Sequence, residues 1–257
     1  MNKVVLIVAI VILVILAGVI VWFLLNPSAL VTNNSNSTTN TVATNPNAIP
    51  DGKGMLYLTI TDAAATMGSV SAVDVTIDKI DVYGAKQGWV TIPATSQTFS
   101  LLNLKAKSQA LLLAKAAVIP DVYTQFKLHI AKITVTETGA QKEAKLPSSD
   151  FVFMANVKVD GAAISVGRFD IMTDKSIHKT ATGAFIFAPV IKFDSSTNTT
   201  VKVAADNSVV VSKGLINPTV NAGMDATGMV KLNYILDPKT NLKIDATGVI
   251  TTSGLLK

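Results

Sequence analysis

Acidic side chains grouped on one predicted strand are the residues of this sequence whose types and spacing could do chemistry. Asp74 and Asp78 share one face of that strand, and Asp81 follows close by. Clustered carboxylate oxygens are the ligands that calcium prefers. The sequence has no Asp-x-Asp-x-Asp-Gly loop, so hydrated carboxylates on a strand face are the alternative. A calcium site at these three residues is therefore one prediction, and Asp170 with Asp174 is a second of the same kind.

Trp89 and the two histidines are the other side chains that could form a site. Trp89 lies on a short predicted strand, Gly88 to Ile92, where an exposed indole could stack on the face of a sugar. The alternative is a structural role, either as a hydrophobic plug or in tyrosine-corner-like packing with Tyr123. Histidine zinc sites use several histidines at close spacing. His129 is therefore predicted on a solvated sheet face, and His178 in a polar loop.

Common catalytic motifs are missing from the sequence. The chain has no Cys, which excludes disulfides, thiolate nucleophiles and Cys-ligated zinc. Neither a Gly-x-Ser-x-Gly motif nor a phosphate-binding glycine loop occurs. Aromatic residues make up only 6% of the chain, which disfavours a polysaccharide cleft beside paired carboxylates. We therefore predict no catalytic residue and no cofactor, apart from calcium at the acidic residues of the predicted strand.

The charge of the chain argues against nucleic acid as a partner. The formal net charge is +5, but Arg168 is the only arginine and the remaining cations are lysines. Arginine is the usual bidentate reader of phosphate and guanine. No lysine cluster is flanked by stacking aromatic residues.

An apolar segment near the N-terminus predicts a membrane anchor. Residues from Val4 to Leu25 include no charged or polar side chain, and at about 1.5 Å rise per residue they can cross the hydrocarbon core of a lipid bilayer. Lys3 is the only charged side chain before this segment. The positive-inside rule then leaves residues 1–3 in the cytoplasm and the rest of the chain outside the cell or in the periplasm. An uncleaved signal anchor is predicted, with a cleaved signal peptide as the alternative.

A polar stretch follows the anchor. Residues 26–53 are rich in Asn, Thr, Ser and Pro and contain no aromatic residue, which predicts a flexible linker. Asn33, Asn36 and, further on, Asn198 fit the N-glycosylation pattern, with unmodified asparagine as the alternative.

Alternating apolar residues predict an all-β fold beyond the linker. Every second residue is apolar in stretches such as Leu56 to Ile60 and Val73 to Ile77, and turn residues separate many short stretches of this kind. A change of register near Asp78-Lys79 predicts a β-bulge or a twist at this position. The segment from Leu104 to Val118 could form a short helix, or a strand over residues 110–116. These patterns predict an immunoglobulin-like, Greek-key antiparallel sandwich.

Five sequence blocks in a fixed order resemble the domain of unknown function family 4382. They are Leu58 to Ala63, Val73 to Tyr83, Gly88-Trp89, Phe99 to Leu102 and Tyr123 to Leu128. The resemblance extends over residues 54–195. It implies an extracytoplasmic sandwich domain of the kind found in secreted, lipoprotein and surface proteins of bacteria and archaea.

Two turns depart from the family pattern. Asp62-Ala63-Ala64 replaces the usual Asp-Ala-Pro, and Pro120-Asp121-Val122 replaces the usual Pro-x-Gly. Both changes concern loop conformation more than fold. The family has no established activity, so the resemblance implies no catalytic residue.

The sequence as a whole predicts a membrane-anchored, cell-surface β-sandwich protein without enzymatic activity. Its predicted role is adhesion, envelope organisation or assembly with other surface proteins. One alternative is a glycan- or solute-binding module that uses Trp89. Another is a subunit of a surface filament, in which a terminal strand from Leu242 to Thr251 pairs between chains and gives a homo-oligomer. Residues 196–257 are expected either to complete the sandwich or to form a small second β unit.

Overall fold

The computed structural model describes residues 48–62, 67–237 and 240–252. The predicted cytoplasmic stub, the anchor from Val4 to Leu25 and most of the predicted linker lie outside the described residues, as do Asn33 and Asn36. Within the described ranges, no helix has the length and apolar character needed to cross a bilayer.

Short strands dominate the described chain, which confirms the all-β prediction. The strands are β1 (Gly54–Thr61), β2 (Val70–Gly84), β3 (Gly88–Ile92), β4 (Gln97–Ser100), β5 (Leu111–Val118), β6 (Asp121–Glu137), β7 (Ala140–Lys145), β8 (Asp150–Val159), β9 (Ile164–Ile171), β10 (Ile177–Lys179), β11 (Phe185–Phe187), β12 (Val190–Thr197), β13 (Thr200–Val203), β14 (Val209–Ser212), β15 (Leu215–Ile216), β16 (Val220–Met224), β17 (Val230–Leu232), β18 (Leu242–Ile244) and β19 (Ile250–Thr252). Two short helices, α1 (Leu101–Lys107) and α2 (Thr173–Ser176), interrupt them.

Two large sheets contain most of these strands. Sheet A has the order β17-β16-β12-β9-β1-β5, with β15 also paired to β12. Sheet B has the order β10-β11-β7-β6-β2-β3, with β4 paired to β2 and β8 paired to β6. The hairpins β13–β14 and β18–β19 form separate two-stranded sheets.

Two strand pairs are parallel, so the prediction of a purely antiparallel sandwich is wrong at these places. β1 pairs with β9 in parallel, and β11 pairs with β7 in parallel. Hydrophobic alternation fixes which side chains face the core, but it has the same period in parallel and antiparallel strands. The direction of pairing is therefore not encoded in the pattern that predicted the strands.

The inner faces of the two sheets share one hydrophobic core. A cluster of phenylalanine rings joins them at its centre, with Phe126 and Phe153 from sheet B and Phe169 and Phe193 from sheet A. The Phe126 and Phe193 centroids are 4.8 Å apart and those of Phe169 and Phe193 are 5.0 Å apart. Such tilted and edge-to-face contacts stabilise a core beyond the area they bury.

The predicted β-bulge in β2 is confirmed. The register between β2 and β6 shifts between Ile77 and Lys79. Before the shift Val75 and Ile77 face the core, and after it Ile80 and Val82 do. The bulge therefore keeps the apolar residues inward and leaves the acidic residues of this strand on the outer face.

Both alternatives for the segment from Leu104 to Val118 are present, one after the other. Helix α1 ends at Lys107, and Ser108 follows it in a left-handed conformation (φ 49°) that stops the helix. Strand β5 then begins at Leu111. Leu101 and Leu104 anchor the helix in the core.

The C-terminal strands take two different positions. Strands β15, β16 and β17 extend sheet A. Hairpin β13–β14 covers part of the outer face of sheet A, where Val201 packs on Met55, Tyr57 and Val166. Hairpin β18–β19 packs on Ile186 and Ala188 through Leu242, Ile244 and Ile250.

Candidate functional site

A row of four side chains crosses the outer face of sheet B. Strand register places Trp89 of β3 opposite Tyr83 of β2, Tyr83 opposite Gln125 of β6, and Gln125 opposite Met154 of β8. We refer to these four residues as the Trp89 row. Alternation along each strand puts neighbours such as Val82 in the core and the row itself outside.

Two large apolar side chains of the Trp89 row are exposed to solvent. Trp89 is 45% exposed and Met154 is 61% exposed. The Tyr83 ring meets Trp89 edge-on, with centroids 5.6 Å apart and planes at 66°. The Lys127 ammonium lies 5.3 Å from the centre of the indole ring, a distance at which a cation is attracted to an aromatic face.

The interpretation of Trp89 as a buried plug beside Tyr123 is wrong. Tyr123 is fully buried, and its hydroxyl donates a hydrogen bond of 2.9 Å to the Ile119 carbonyl oxygen. It thus forms a tyrosine-corner contact without Trp89. The sequence does contain a signal for the exposed position. Side chains alternate between the two faces of a strand, and Ile92 faces the core, so Trp89, three positions earlier, is expected on the outer face.

A buried carboxylate and two lysines lie directly beside the row. Asp81 is only 4% exposed. Its carboxylate accepts a hydrogen bond of 2.6 Å from the Thr91 hydroxyl and pairs with the Lys127 and Lys79 ammonium groups at 2.9 and 3.2 Å. Burial acts to raise the pKa of Asp81, but hydrogen bonds from Thr91, Lys127 and Lys79 outweigh it and hold that pKa below its ordinary value. The hydrogen bond to Asp81 in turn raises the pKa of Lys127.

The predicted calcium ligands do not come together as a metal site. Asp81 is paired with lysines, and the Asp78 carboxylate contacts the His129 imidazole at 2.6 Å. Asp74 lies further along β2, between Ser100 and Thr134 of the neighbouring strands. In the part of the chain that the structure describes, no three acidic or histidine side chains are grouped so as to hold a metal ion. Asp81 and Asp78 thus have partners within the protein, Asp81 two lysines and Asp78 a histidine.

The other predicted residues are distributed over the fold. His129 is on the outer face of sheet B, as predicted, whereas His178 is 3% exposed on β10 and not in a polar loop. Asp170 is opposite Lys192 on sheet A and is buried, and Asp174 is in α2. Asn198 is exposed at the turn between β12 and β13.

A second feature, a cavity on the outer face of sheet A, was missed by the sequence analysis. It has a volume of about 650 Å³ and lies between strands β1, β9 and β12 and the hairpin β13–β14. Arg168, the one arginine of the chain, is among the residues that line it. A lone arginine in a lysine-rich chain was the available signal, but nothing in the local sequence indicates that a distant hairpin covers it.

Comparison with known proteins adds a family but no described relative. No curated protein and no solved structure matches the chain. A family model described as "Domain of unknown function (DUF4382)" matches residues 53–189, a range that includes the whole Trp89 row. This range is more than half of the 257 residues and agrees with the resemblance found in the sequence blocks. On this match, the chain belongs to the DUF4382 family.

Proposed function

We propose that this chain is a non-enzymatic, membrane-anchored surface protein whose β domain makes contacts outside the cytoplasm through the outer face of sheet B. Adhesion, envelope organisation and assembly with other surface proteins are the roles that such a contact face would serve. The observation that carries the proposal is the Trp89 row, in which the exposed side chains of Trp89 and Met154 stand on the same outer face of sheet B. An immunoglobulin-like, Greek-key relationship between the sheets stays a prediction.

The composition of the row supports a binding role. Tryptophan, tyrosine and methionine are enriched in contact surfaces. The rigid rings of tryptophan and tyrosine bury much area at little cost in side-chain entropy, and the flexible methionine adapts to the partner. The buried Asp81 with its two lysines fixes the lysine stems beside the row. Together these residues give an apolar patch with a charged border, which resembles the hydrophobic core and polar rim of known interfaces.

A glycan is the second partner class that the row favours. The indole face of Trp89 could stack on a pyranose ring, and the Gln125 amide opposite Tyr83 could exchange hydrogen bonds with sugar hydroxyls. This reading differs from a protein contact in the size of the ligand, because one sugar unit would cover little more than the indole.

Tryptophan fluorescence of the purified chain separates these readings. Trp22 and Trp89 are the two tryptophans, so a Trp22→Phe background leaves Trp89 as the one indole reporter. A saturable change in Trp89 emission with an oligosaccharide from a diverse panel would support the glycan reading. If no oligosaccharide changes the Trp89 emission, and beads coated with this chain bind envelope proteins only when Trp89 is present, the contact is with a protein. If Trp89→Ala changes neither kind of binding while Trp22→Phe behaves as wild type, the proposed contact face is wrong.

The C-terminal strands favour self-assembly as a further candidate role. In the described ranges β17 pairs only with β16 and leaves one edge of sheet A open, and hairpin β18–β19 joins neither large sheet. Leu232 of β17 is 51% exposed, and Leu215 and Ile216 of β15 are 68% and 84% exposed. An open edge with exposed apolar side chains can pair with a second chain. Light scattering in solution, with and without calcium, should then give oligomers that Leu232→Lys dissociates, whereas monomers throughout would exclude this role.

A further inference from the structure

The cavity on sheet A has a floor of adjacent polar side chains from three strands. Register places Arg168 of β9 between Thr59 of β1 and Asp194 of β12. Ser196, on the same face of β12, extends the floor toward β15. Hairpin β13–β14 and the turn after it form the wall, which contributes Lys213.

The charges of the cavity are predominantly positive. The Arg168 Nη2 donates a hydrogen bond of 2.6 Å to Asp194 Oδ2, and the Thr219 hydroxyl donates one of 2.7 Å to Asp194 Oδ1. Burial acts to raise the pKa of Asp194, but the hydrogen bonds from Arg168 and Thr219 outweigh it and hold that pKa below its ordinary value. The carboxylate is therefore ionised and neutralised within the protein. Lys192 and Lys213 also line the cavity, and neither is within salt-bridge distance of a carboxylate among the described residues, although the charge of Lys192 also acts to lower the pKa of Asp194.

The remaining lining is apolar. Val166 contributes from the floor and Val209 and Val211 from the hairpin, and Ile216 stands at the opening with 84% of its surface exposed. A ligand that entered here would meet branched aliphatic side chains as well as cationic groups, since both the floor and the wall contribute each kind. The volume of about 650 Å³ falls within the roughly 300–1,000 Å³ typical of small-molecule sites.

We propose that this cavity binds a small organic anion, that is, a carboxylate or phosphate group attached to an apolar moiety. The arginine fork has five N–H donors, of which the Asp194 contact leaves several free to reach an oxyanion beside Lys192 and Lys213. The valines and Ile216 would cover the apolar part of the same molecule. Half of the Arg168 side chain is exposed, so the guanidinium is accessible without any rearrangement of the fold. This site is separate from the Trp89 row and does not depend on the function proposed for it.

Methyl NMR of the purified full chain in detergent micelles can test the proposal directly, because Val166, Val209 and Ile216 carry reporter methyl groups at the cavity. Phenyl phosphate is the probe that combines an oxyanion with an apolar ring. We expect saturable shifts at these three methyl groups, with Val152 on sheet B unchanged. Inorganic phosphate should bind more weakly and phenol should not bind at the same concentration. Benzoate in place of phenyl phosphate assigns the preferred anion, and tighter binding of either one supports the proposal.

Matched lysine variants test whether the positive charges of the cavity cause the binding of phenyl phosphate. Lys213 has a left-handed backbone (φ 62°), a conformation that asparagine tolerates, so Lys213→Asn removes the charge without strain. Loss of one charge-assisted hydrogen bond should weaken phenyl phosphate binding about tenfold. Lys132→Gln on sheet B is the control and should leave the affinity unchanged.

A double variant tests the arginine itself. Arg168→Gln combined with Asp194→Asn removes both charges of the ion pair, so no unpaired charge is left at the cavity floor. It should abolish the shifts while the methyl spectrum of the core stays native. Absence of shifts at the cavity in the wild-type chain would overturn the proposal. So would equal binding of phenol and phenyl phosphate, or an equal loss of affinity in Lys132→Gln and Lys213→Asn.

Discussion

Gly167 shows how strongly a single residue can depend on the contact between the sheets. A Cβ atom added there would lie 2.7 Å from Phe193 Cζ and 3.0 Å from Leu58 Cδ2, both in the core. We expect Gly167→Ala to lower the free energy of unfolding by about 1–3 kcal/mol, because neither the Phe193 ring nor the Leu58 side chain can move without disturbing its neighbours in the core. Gly161→Ala is the matched control, since its added Cβ would meet only Pro120 Cγ at 3.6 Å. Urea unfolding followed by circular dichroism measures both, and equal losses would contradict the packing argument.

The environment of His178 should make the stability of the fold depend on pH. It is buried, and in the described chain neither ring nitrogen has a hydrogen-bond partner. Burial lowers the pKa of His178, although the charge of Asp237 acts in the opposite direction. The unfolded chain, with a histidine pKa of about 6.5, then binds the proton more readily than the folded chain. The free energy of unfolding should therefore be constant well above that pH and fall as the pH drops through it toward the lower folded-state pKa.

A variant pair isolates this histidine. In His178→Leu the fall in the free energy of unfolding between about pH 7 and pH 5 should flatten, whereas His129→Gln should retain it. Unfolding curves at several pH values measure the slope. The same slope in His178→Leu and in the wild-type chain would show that another group causes it.

At the scale of elements, one hairpin loop occurs twice with the same four-residue sequence. Asp225-Ala226-Thr227-Gly228 joins β16 to β17, and Asp245-Ala246-Thr247-Gly248 joins β18 to β19. In both loops one Asp oxygen accepts hydrogen bonds from the amide and hydroxyl of the Thr and from the amide two residues beyond it. The Gly has a positive φ, 88° in one loop and 83° in the other, which side chains rarely adopt.

The first of these loops should be sensitive to acid. Burial acts to raise the pKa of Asp225, but hydrogen bonds from Lys231, Thr227 and the backbone lower it to about 2. Because this is below the unfolded value, the carboxylate stabilises the fold above about pH 4, and the contribution is lost as the pH falls through the folded pKa. Asp225→Asn should cost about 1–3 kcal/mol near neutral pH and remove this acid dependence. Asp245→Asn, in the exposed hairpin, is the comparison and should have a smaller effect on acid unfolding of the whole domain.

Local patterns predicted strands well and pairing poorly, for a physical reason. The alternation of Val75, Ile77, Ile80 and Val82 revealed both strand β2 and its bulge, since burial of alternate residues is a local property. The parallel pairing of β1 with β9 joins residues more than a hundred positions apart, and no local signal specifies it. The same limit applies to the candidate sites. Trp89 was identified from its type alone, but its neighbours Gln125 and Met154 are brought to it only by strand register.

At the scale of the molecule, the two proposed sites lie on the outer faces of different sheets with the shared core between them. The Trp89 row belongs to sheet B, and the cavity around Arg168 belongs to sheet A and hairpin β13–β14. Coupling through a packed core requires an element that has two discrete arrangements. Substitutions at distant sites without shared contacts change the free energy additively. We therefore expect the two sites to bind independently.

Exchanged variants provide the measurement of independence. Trp89→Ala should leave the affinity of the cavity for phenyl phosphate within about twofold of the wild-type value. Free-energy changes at independent sites add to within about 0.5 kcal/mol, which corresponds to about this factor in affinity. Lys213→Asn should likewise leave binding by the Trp89 row unchanged. A larger cross-effect in both directions would show coupling, which must be reciprocal in binding free energy. The core would then have to link the outer faces through a movement of the sheets, and the Phe126–Phe193 contact would be the place to look for it.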